Sequence, residues 1–131
     1  MFKKIYFYAS WLFVAGWMGL IFYLSSQPAE DIPSFMPDYL AHGIEYFILA
    51  ALLVNSFQIT PKLTHNIHIN CFIITFLYGI SDEIHQVFIP TRTFSIIDIA
   101  ADAAGVIIAI SLYKLLIFMN PGLQNNFVEK R

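Results

Sequence analysis

Acidic and histidine side chains recur at helical spacing in three separate stretches of this sequence. Residues three or four positions apart share one face of a helix, so each stretch gathers its ionisable groups together. Histidine titrates near neutral pH, and a neighbouring carboxylate can orient it as a general base. The spacing therefore predicts acid–base chemistry, with His42 or His85 as the base and Glu45 or Asp82 as its orienting acid. The candidate catalytic residues are His42, Glu45, Asp82, Glu83, His85, Asp98 and Asp102.

A cation follows the second of these stretches and suggests what the site binds. The guanidinium group of arginine holds phosphate and carboxylate groups through paired hydrogen bonds. We therefore predict that Arg92 binds an anionic group of a substrate. The predicted substrate-binding residues are Gln86, Arg92, Ser26 and Gln27. The alternatives stay open that Arg92 merely neutralises Asp98 or Glu83, or that it lies among the lipid headgroups.

A divalent metal is a second way to use the same groups. His42 with Glu45, and Asp82 with His85, are acid–histidine pairs three residues apart on two different segments. Helical bundles use related Glu-x-x-His pairs to bind metals, usually with further carboxylates. Histidine and carboxylate donors suit zinc, manganese or iron. Whether a metal is bound stays open; if one is, the predicted ligands are His42, Glu45, Asp82 and His85.

Four apolar segments must position these side chains. The chain has 131 residues, of which 58% are hydrophobic and 12% charged. Soluble domains carry about 25% charged residues, so lipid must cover part of this surface. Segments of about 20 apolar residues can cross a bilayer, and the four lie at about 5–24, 39–57, 69–89 and 96–119. We predict an all-α, single-domain membrane protein built as a four-transmembrane-helix bundle. The absence of a basic patch argues against nucleic acid as a partner.

The distribution of lysine and arginine predicts the orientation. Cytoplasmic loops are enriched in these residues, and four spans place Lys3, Lys4, Lys62, Lys114, Lys130 and Arg131 on one side. Both termini are therefore predicted to be cytoplasmic, and the acidic residues other than Glu129 extracytoplasmic. His65 and His68 are predicted to lie in a solvated cytoplasmic loop.

The ionisable groups are predicted to meet at a common depth. At a rise of about 1.5 Å per residue, Glu45, Asp82 and Asp102 each lie about 10 Å inside their helices. A charge at the centre of a bilayer costs about 2.5–3.5 kcal/mol, so these groups must face one another. Small residues at Ala101, Gly105 and Ala109 have the four-residue spacing of close helix contacts. A one-sided pocket follows, because the other halves of the segments are apolar and offer no transport path.

Three motifs follow one another along the chain. They are Leu24-Ser25-Ser26-Gln27-Pro28, Asp38-x-x-x-His42-x-x-Glu45-Tyr46 and, most specific of the three, Asp82-Glu83-Ile84-His85-Gln86-x-Phe88-x-Pro90-x-Arg92. In these motifs the sequence resembles the VanZ-like family of membrane proteins, named for a teicoplanin-resistance protein. Asp98, Asp102 and Gly105 continue the pattern. Two positions depart from it: Tyr39 stands where the family often has lysine, and Thr91 where it often has glycine.

The resemblance implies a multi-pass protein of the bacterial cytoplasmic membrane, with a link to the cell envelope and to glycopeptide resistance. It supplies no reaction. Two functions stay open: an enzyme or binding protein for an anionic, lipid-linked envelope substrate, and a non-enzymatic interaction protein whose polar network is structural. The lipid bilayer is the one partner expected in both cases, and the oligomeric state is left open.

Overall fold

Four long helices make up the fold. The computed structural model describes residues 2–32, 35–60, 66–120 and 122. The helices are α1 (Phe2–Ser25), α2 (Asp38–Gln58), α3 (Ile67–Gln86) and α4 (Ile96–Met119), and the described residues contain no strand. All four are long and apolar enough to cross a membrane. The predicted all-α fold with four membrane-spanning helices is confirmed.

The boundaries of α3 differ from the prediction. A span over 69–89 was expected, but α3 begins at Ile67 and ends at Gln86. Beyond it, the amide of Phe88 donates to the backbone carbonyl oxygen of His85, and the amide of Ile89 donates to that of Gln86. Both distances are 3.0 Å, and both bonds span three residues as in tight turns. Pro90 disfavours helical conformation in the residue before it, so the apolar run continues past the end of the helix.

The earlier start of α3 also places His68 inside the helix. The prediction of a solvated loop residue is wrong for His68: the side chain is half-buried, with its ring centroid 5.8 Å from that of Tyr113. His65 lies outside the described residues. The predicted orientation rests in part on other residues outside the described part of the chain: Lys62, Lys130, Arg131 and the side chain of Lys3. The side of the membrane that each end faces stays a prediction.

The helices alternate in direction, which collects the ionisable residues at one end. Gly43, early in α2, packs against Ala101, early in α4, so these two helices run parallel. The end of α1 meets the end of α3, where the hydroxyl of Ser26 lies 3.0 Å from the ring of His85. We call the end where α1 and α3 finish and α2 and α4 begin the polar end.

The contact between α2 and α4 is the closest in the bundle. A methyl group on Gly105 would collide with the carbonyl oxygen of Gly43 and lie 3.1 Å from the amide nitrogen of Phe47. Glycine is therefore required at position 105, because a larger residue would push the two backbones apart. The stripe of small residues predicted in α4 is confirmed as a packing surface, and α2 is its partner.

Side-chain hydrogen bonds to backbone carbonyls hold α1 to its neighbours. The indole of Trp17 donates to the carbonyl oxygen of Glu45 at 2.9 Å, and the hydroxyl of Tyr78 donates to that of Met18 at 2.7 Å. Among the described residues, no atom comes within 4 Å of where a methyl group would stand on Gly16 or Gly19. α1 is therefore attached through side-chain hydrogen bonds, whereas α2 and α4 pack backbone against backbone.

The outer surface is apolar around the bundle. Leu12 is 73% exposed and Phe13 is 68% exposed on α1, and Ile107 is half exposed on α4. Inside, Tyr46, Leu49 and other side chains of α2 are fully buried. An apolar exterior of this extent is the surface expected where acyl chains replace water. The protein is a multi-pass membrane protein.

Candidate functional site

A buried histidine–carboxylate pair joins α2 to α4 at the polar end. His42 Nδ1 lies 3.2 Å from Asp102 Oδ1, and the two side chains are 5% and 1% exposed. An ionised carboxylate only accepts hydrogen bonds, so with Asp102 ionised the Nδ1 atom carries the proton. Gly79 of α3 makes room for this pair, since a methyl group there would lie 2.7 Å from Asp102 Oδ2.

The other nitrogen of His42 faces α3. Gln86 Nε2 is 3.5 Å from His42 Nε2, and Glu83 Oε1 is 3.9 Å from it. Glu83 is fully buried, and its Oε2 atom accepts a hydrogen bond from the amide of Ser95 at 2.7 Å. Its Oε1 atom has no hydrogen-bond partner among the described residues. Glu83 thus lies between the imidazole of His42 and the segment that leads into α4, and it is hydrogen-bonded only to that segment among the described residues.

A second group of polar side chains lies beside this one. Asp82 is buried, and its carboxyl group faces the hydroxyl of Ser25, although no hydrogen bond of normal geometry joins them. The hydroxyl of Tyr46 is buried without a hydrogen-bond partner among the described residues. Glu45 is half-buried and lines the same cavity as Asp82. Tyr46 was not predicted as a site residue, although its position four residues after His42 puts it on the same face of α2.

His85 lies against α1 and away from the carboxylate cluster. Its Nε2 atom is 3.0 Å from the hydroxyl of Ser26, and its ring stacks on Phe22 with 4.6 Å between centroids. The Ser26 hydroxyl also donates to the carbonyl oxygen of Phe22 at 2.7 Å. The structure therefore distinguishes the two predicted bases, because His42 is surrounded by buried acids and His85 belongs to the α1–α3 contact.

Arg92 closes the site from the loop between α3 and α4. Its Nη1 atom donates to Asp38 Oδ2 at 3.0 Å, and its Nε atom donates to the carbonyl oxygen of Gln27 at 3.3 Å. Its side chain is 7% exposed, whereas that of Asp38 is 58% exposed. The preceding residue, Thr91, has a φ of 66° and accepts a hydrogen bond from the amide of Ala29 at 3.0 Å. The Gln27 side-chain amide itself turns back to the carbonyl oxygen of Tyr23, so Gln27 meets Arg92 through its backbone.

Three cavities at the polar end share Asp38 and Arg92 in their walls. The innermost reaches His42, Asp82 and Gln86. A cleft of about 570 Å³ leads outward, and its apolar wall consists of Leu24, Ala29, Ile32, Phe35, Met36 and Ala41. The third cavity, of about 310 Å³, extends toward Ser95 and Asp98. The site therefore combines a polar interior with an apolar entrance.

The residues that the structure brings together as possible metal ligands share only His42 with the predicted set. In the part of the chain that the structure describes, one ligand atom each of Asp38, His42 and Asp98 lies within 4.8 Å of the others. The set His42, Glu45, Asp82 and His85 does not form such a group. The physical reason is the direction of the side chains, since His85 faces Ser26 and the second nitrogen of His42 faces Glu83.

Comparison with protein families gives one match. The family described as VanZ/LLP1 matches residues 10–118, which include α2, α3, most of α1, α4 up to its last residue, and every residue of the site. Comparisons with curated proteins and with solved structures gave no match. The chain, with its four membrane-spanning helices and the histidine and acids at their polar end, belongs to the VanZ/LLP1 family.

Proposed function

We propose that the polar end binds the anionic headgroup of a lipid-linked compound of the cell envelope. The observation that carries this proposal is the placement of Arg92, which lines all three cavities and is nine-tenths buried. One of its terminal nitrogens, Nη2, makes no hydrogen bond to a described residue. A guanidinium group in a sheltered cleft binds phosphate or carboxylate more strongly than one in water.

The apolar entrance supports a lipid as the carrier of that headgroup. Leu24, Ile32, Phe35 and Met36 border the cleft whose inner end is Arg92. Ligand sites commonly pair an apolar wall with a few polar groups that fix orientation. An acyl or prenyl chain along this wall would leave its headgroup beside Arg92. The predicted orientation places this end on the extracytoplasmic side.

His42 is the residue we propose as the general base within the site. Asp102 holds its Nδ1 atom, and Nε2 is left to accept a proton from a substrate hydroxyl or a water. Gln86, which lies 3.5 Å from Nε2, would have to be displaced by the group that reacts. The same arrangement also serves a protein that binds without catalysis, because Asp102 and Gln86 orient the imidazole in both cases.

Binding of a polyprenyl phosphate by the purified protein in detergent tests the proposal. The uncharged polyprenol is the comparison ligand, and quenching of tryptophan fluorescence is the signal, since Trp17 contacts the backbone of Glu45. We expect wild type to prefer the phosphate, and Arg92→Gln to reduce that preference about tenfold, because it removes a charge-assisted contact of about 1.4 kcal/mol or more.

Lys114→Gln is the matched control, since it removes one positive charge from an exposed residue near the far end of α4. This variant should bind like wild type. Equal preference for the phosphate in wild type and Arg92→Gln would refute the anion-binding proposal.

A cellular assay addresses the link to teicoplanin that the resemblance suggests. Expression of wild type in a susceptible bacterium should raise resistance, and Arg92→Gln at equal membrane abundance should not. Resistance that persists in Arg92→Gln, His42→Gln and Asp82→Asn would separate any such effect from this site.

The alternative is a structural role in a non-enzymatic interaction protein. Glu83 favours it, because its carboxylate holds the amide of Ser95 while the Ser95 hydroxyl accepts a hydrogen bond from the amide of Asp98 at 3.2 Å. These bonds fix the start of α4 against α3. If the network is purely structural, Glu83→Gln should lower stability, and the ligand preference of the folded fraction should be unchanged.

A further inference from the structure

We infer that Asp38, His42 and Asp98 form a binding site for one divalent transition-metal ion at the polar end. One ligand atom from each residue lies within 4.8 Å of the others. One imidazole nitrogen and two carboxylates make a donor set that suits zinc, manganese or iron. The inference does not depend on the identity of the substrate.

The spacing needs only a modest closure to reach bonding distance. Ligand atoms about 2.1 Å from a tetrahedral ion lie about 3.4 Å from one another. Asp38 is the ligand that can move, because its side chain is 58% exposed at the first residue of α2. His42 and Asp98 are buried and define a fixed side of the site.

The hydrogen bond to Asp102 prepares His42 for this role. With Nδ1 engaged by Asp102 Oδ1 at 3.2 Å, Nε2 is the nitrogen left to bind an ion once Gln86 is displaced from it. A metal-bound Nε2 has no lone pair with which to accept a proton, so in this state the ion replaces the general-base role proposed above. Histidine ligands commonly donate their other N–H to a carboxylate, which fixes the ring and increases its basicity. Asp102 is therefore a positioning residue, and it acts on the ion through His42.

Glu83 supplies independent evidence that a cation belongs here. Its side chain is fully buried, and its Oε1 atom has no hydrogen-bond partner among the described residues although it points toward His42 Nε2. The distance of 3.9 Å is too long for a hydrogen bond, so a proton on Nε2 would leave this oxygen poorly satisfied. A metal ion between the histidine and the acids would attract this carboxylate as well.

The excess of negative charge at the polar end also favours a bound cation. Six acids line it: Asp38, Glu45, Asp82, Glu83, Asp98 and Asp102. Among the described residues, Arg92 is the one lysine or arginine that lies with these acids. It already pairs with Asp38. Four of the six are buried, and buried carboxylates in such excess must be protonated or bound to a cation. A divalent ion would offset two charges and favour the approach of an anionic headgroup.

Metal titration of the purified, chelator-treated full chain in detergent tests the inference. Zn²⁺ and Mn²⁺ are the probes, calorimetry gives the affinity, and elemental analysis gives the stoichiometry. We expect wild type to bind one ion per chain. Asp98→Asn and Asp38→Asn should each weaken binding at least tenfold, and Asp102→Asn should weaken it about tenfold through His42.

Asp31→Asn is the matched control, because it removes an exposed acid in the neighbouring loop and should leave the affinity unchanged. Asp38→Asn changes an exposed residue and keeps the test informative if Asp98→Asn fails to fold. Arg92→Gln should still bind the ion, which separates this inference from headgroup binding. The inference is overturned if wild type takes up no stoichiometric ion, or if the Asp38 and Asp98 variants bind as tightly as Asp31→Asn.

Discussion

Replacing Gly105 by alanine should separate α2 from α4 and destabilise the protein by about 2 kcal/mol. The added methyl group would collide with the carbonyl oxygen of Gly43 and lie 3.0 Å from the carbonyl carbon of the same residue. It would also lie 3.1 Å from the amide nitrogen of Phe47. All three are backbone atoms of α2, so none can rotate out of the way. The helices must move apart instead.

The magnitude follows from two opposing terms. Overpacking a well-packed contact costs about 1–3 kcal/mol, and the upper end applies here because only the backbone can yield. Alanine favours the helix over glycine by about 1 kcal/mol. The difference leaves a net loss of about 2 kcal/mol. The same displacement would lengthen the hydrogen bond between His42 and Asp102, which spans the two helices a short distance away.

Reversible unfolding in mixed micelles, titrated with SDS and followed by circular dichroism, measures this effect. Gly19→Ala is the matched control, since no described atom lies within 4 Å of the added methyl group. It should be neutral or stabilising by up to about 1 kcal/mol. If Gly105→Ala is as stable as Gly19→Ala, the close approach of α2 and α4 is not the contact that holds the site together.

Two further substitutions test the connections around the site. Thr91→Val should cost about 1 kcal/mol, because it removes the acceptor for the amide of Ala29 and keeps a β-branched residue at a φ of 66°. Thr91→Gly loses the same acceptor but should be nearly neutral, because glycine relieves about 1 kcal/mol of backbone strain at that φ. The same SDS titration compares them, and a Val variant as stable as the Gly variant would contradict this. Trp17→Phe should cost about 1 kcal/mol through loss of the hydrogen bond to Glu45, and hydrogen exchange should become faster in α1 alone. Equal acceleration in α2 would show that α1 is not separately anchored.

The sequence predicted the helices well because hydrophobic length decides whether a segment spans a membrane. The starts of α2 and α4 lie within a residue of the prediction, and Pro37 directly precedes α2. The error at α3 came from the apolar residues after Gln86, which hydropathy cannot distinguish from helix. The start at Ile67 brought His68 into the bundle for the related reason that hydropathy does not detect polar helical turns.

The sequence predicted how deep the site residues lie in their helices, but not which way their side chains point. A rise of about 1.5 Å per residue put Glu45, Asp82 and Asp102 near one level. In the structure Glu45 and Asp82 line one cavity with His42, and His42 meets Asp102 at 3.2 Å. Which side chains face one another depends on how each helix is rotated about its axis. The contact of Gly43 with Gly105 fixes that rotation, and no single sequence reveals the pairing. Glu83 consequently turned inward beside His42, while His85 turned toward α1.

The two kinds of helix contact give the walls of the site different stiffness. The wall formed by α2 and α4 is backbone against backbone, so it can hold His42 and Asp102 in a constant relation while a ligand arrives. The wall formed by α1 is attached through aromatic side chains such as Trp17, whose bonds can break singly at about 1 kcal/mol each. Leu24, which borders the apolar cleft, belongs to this weaker wall. An outward tilt of α1 would open the cleft sideways to the membrane, so that a lipid could enter without leaving the bilayer. This route of entry requires that hydrogen exchange in the Trp17→Phe variant become faster in α1 alone.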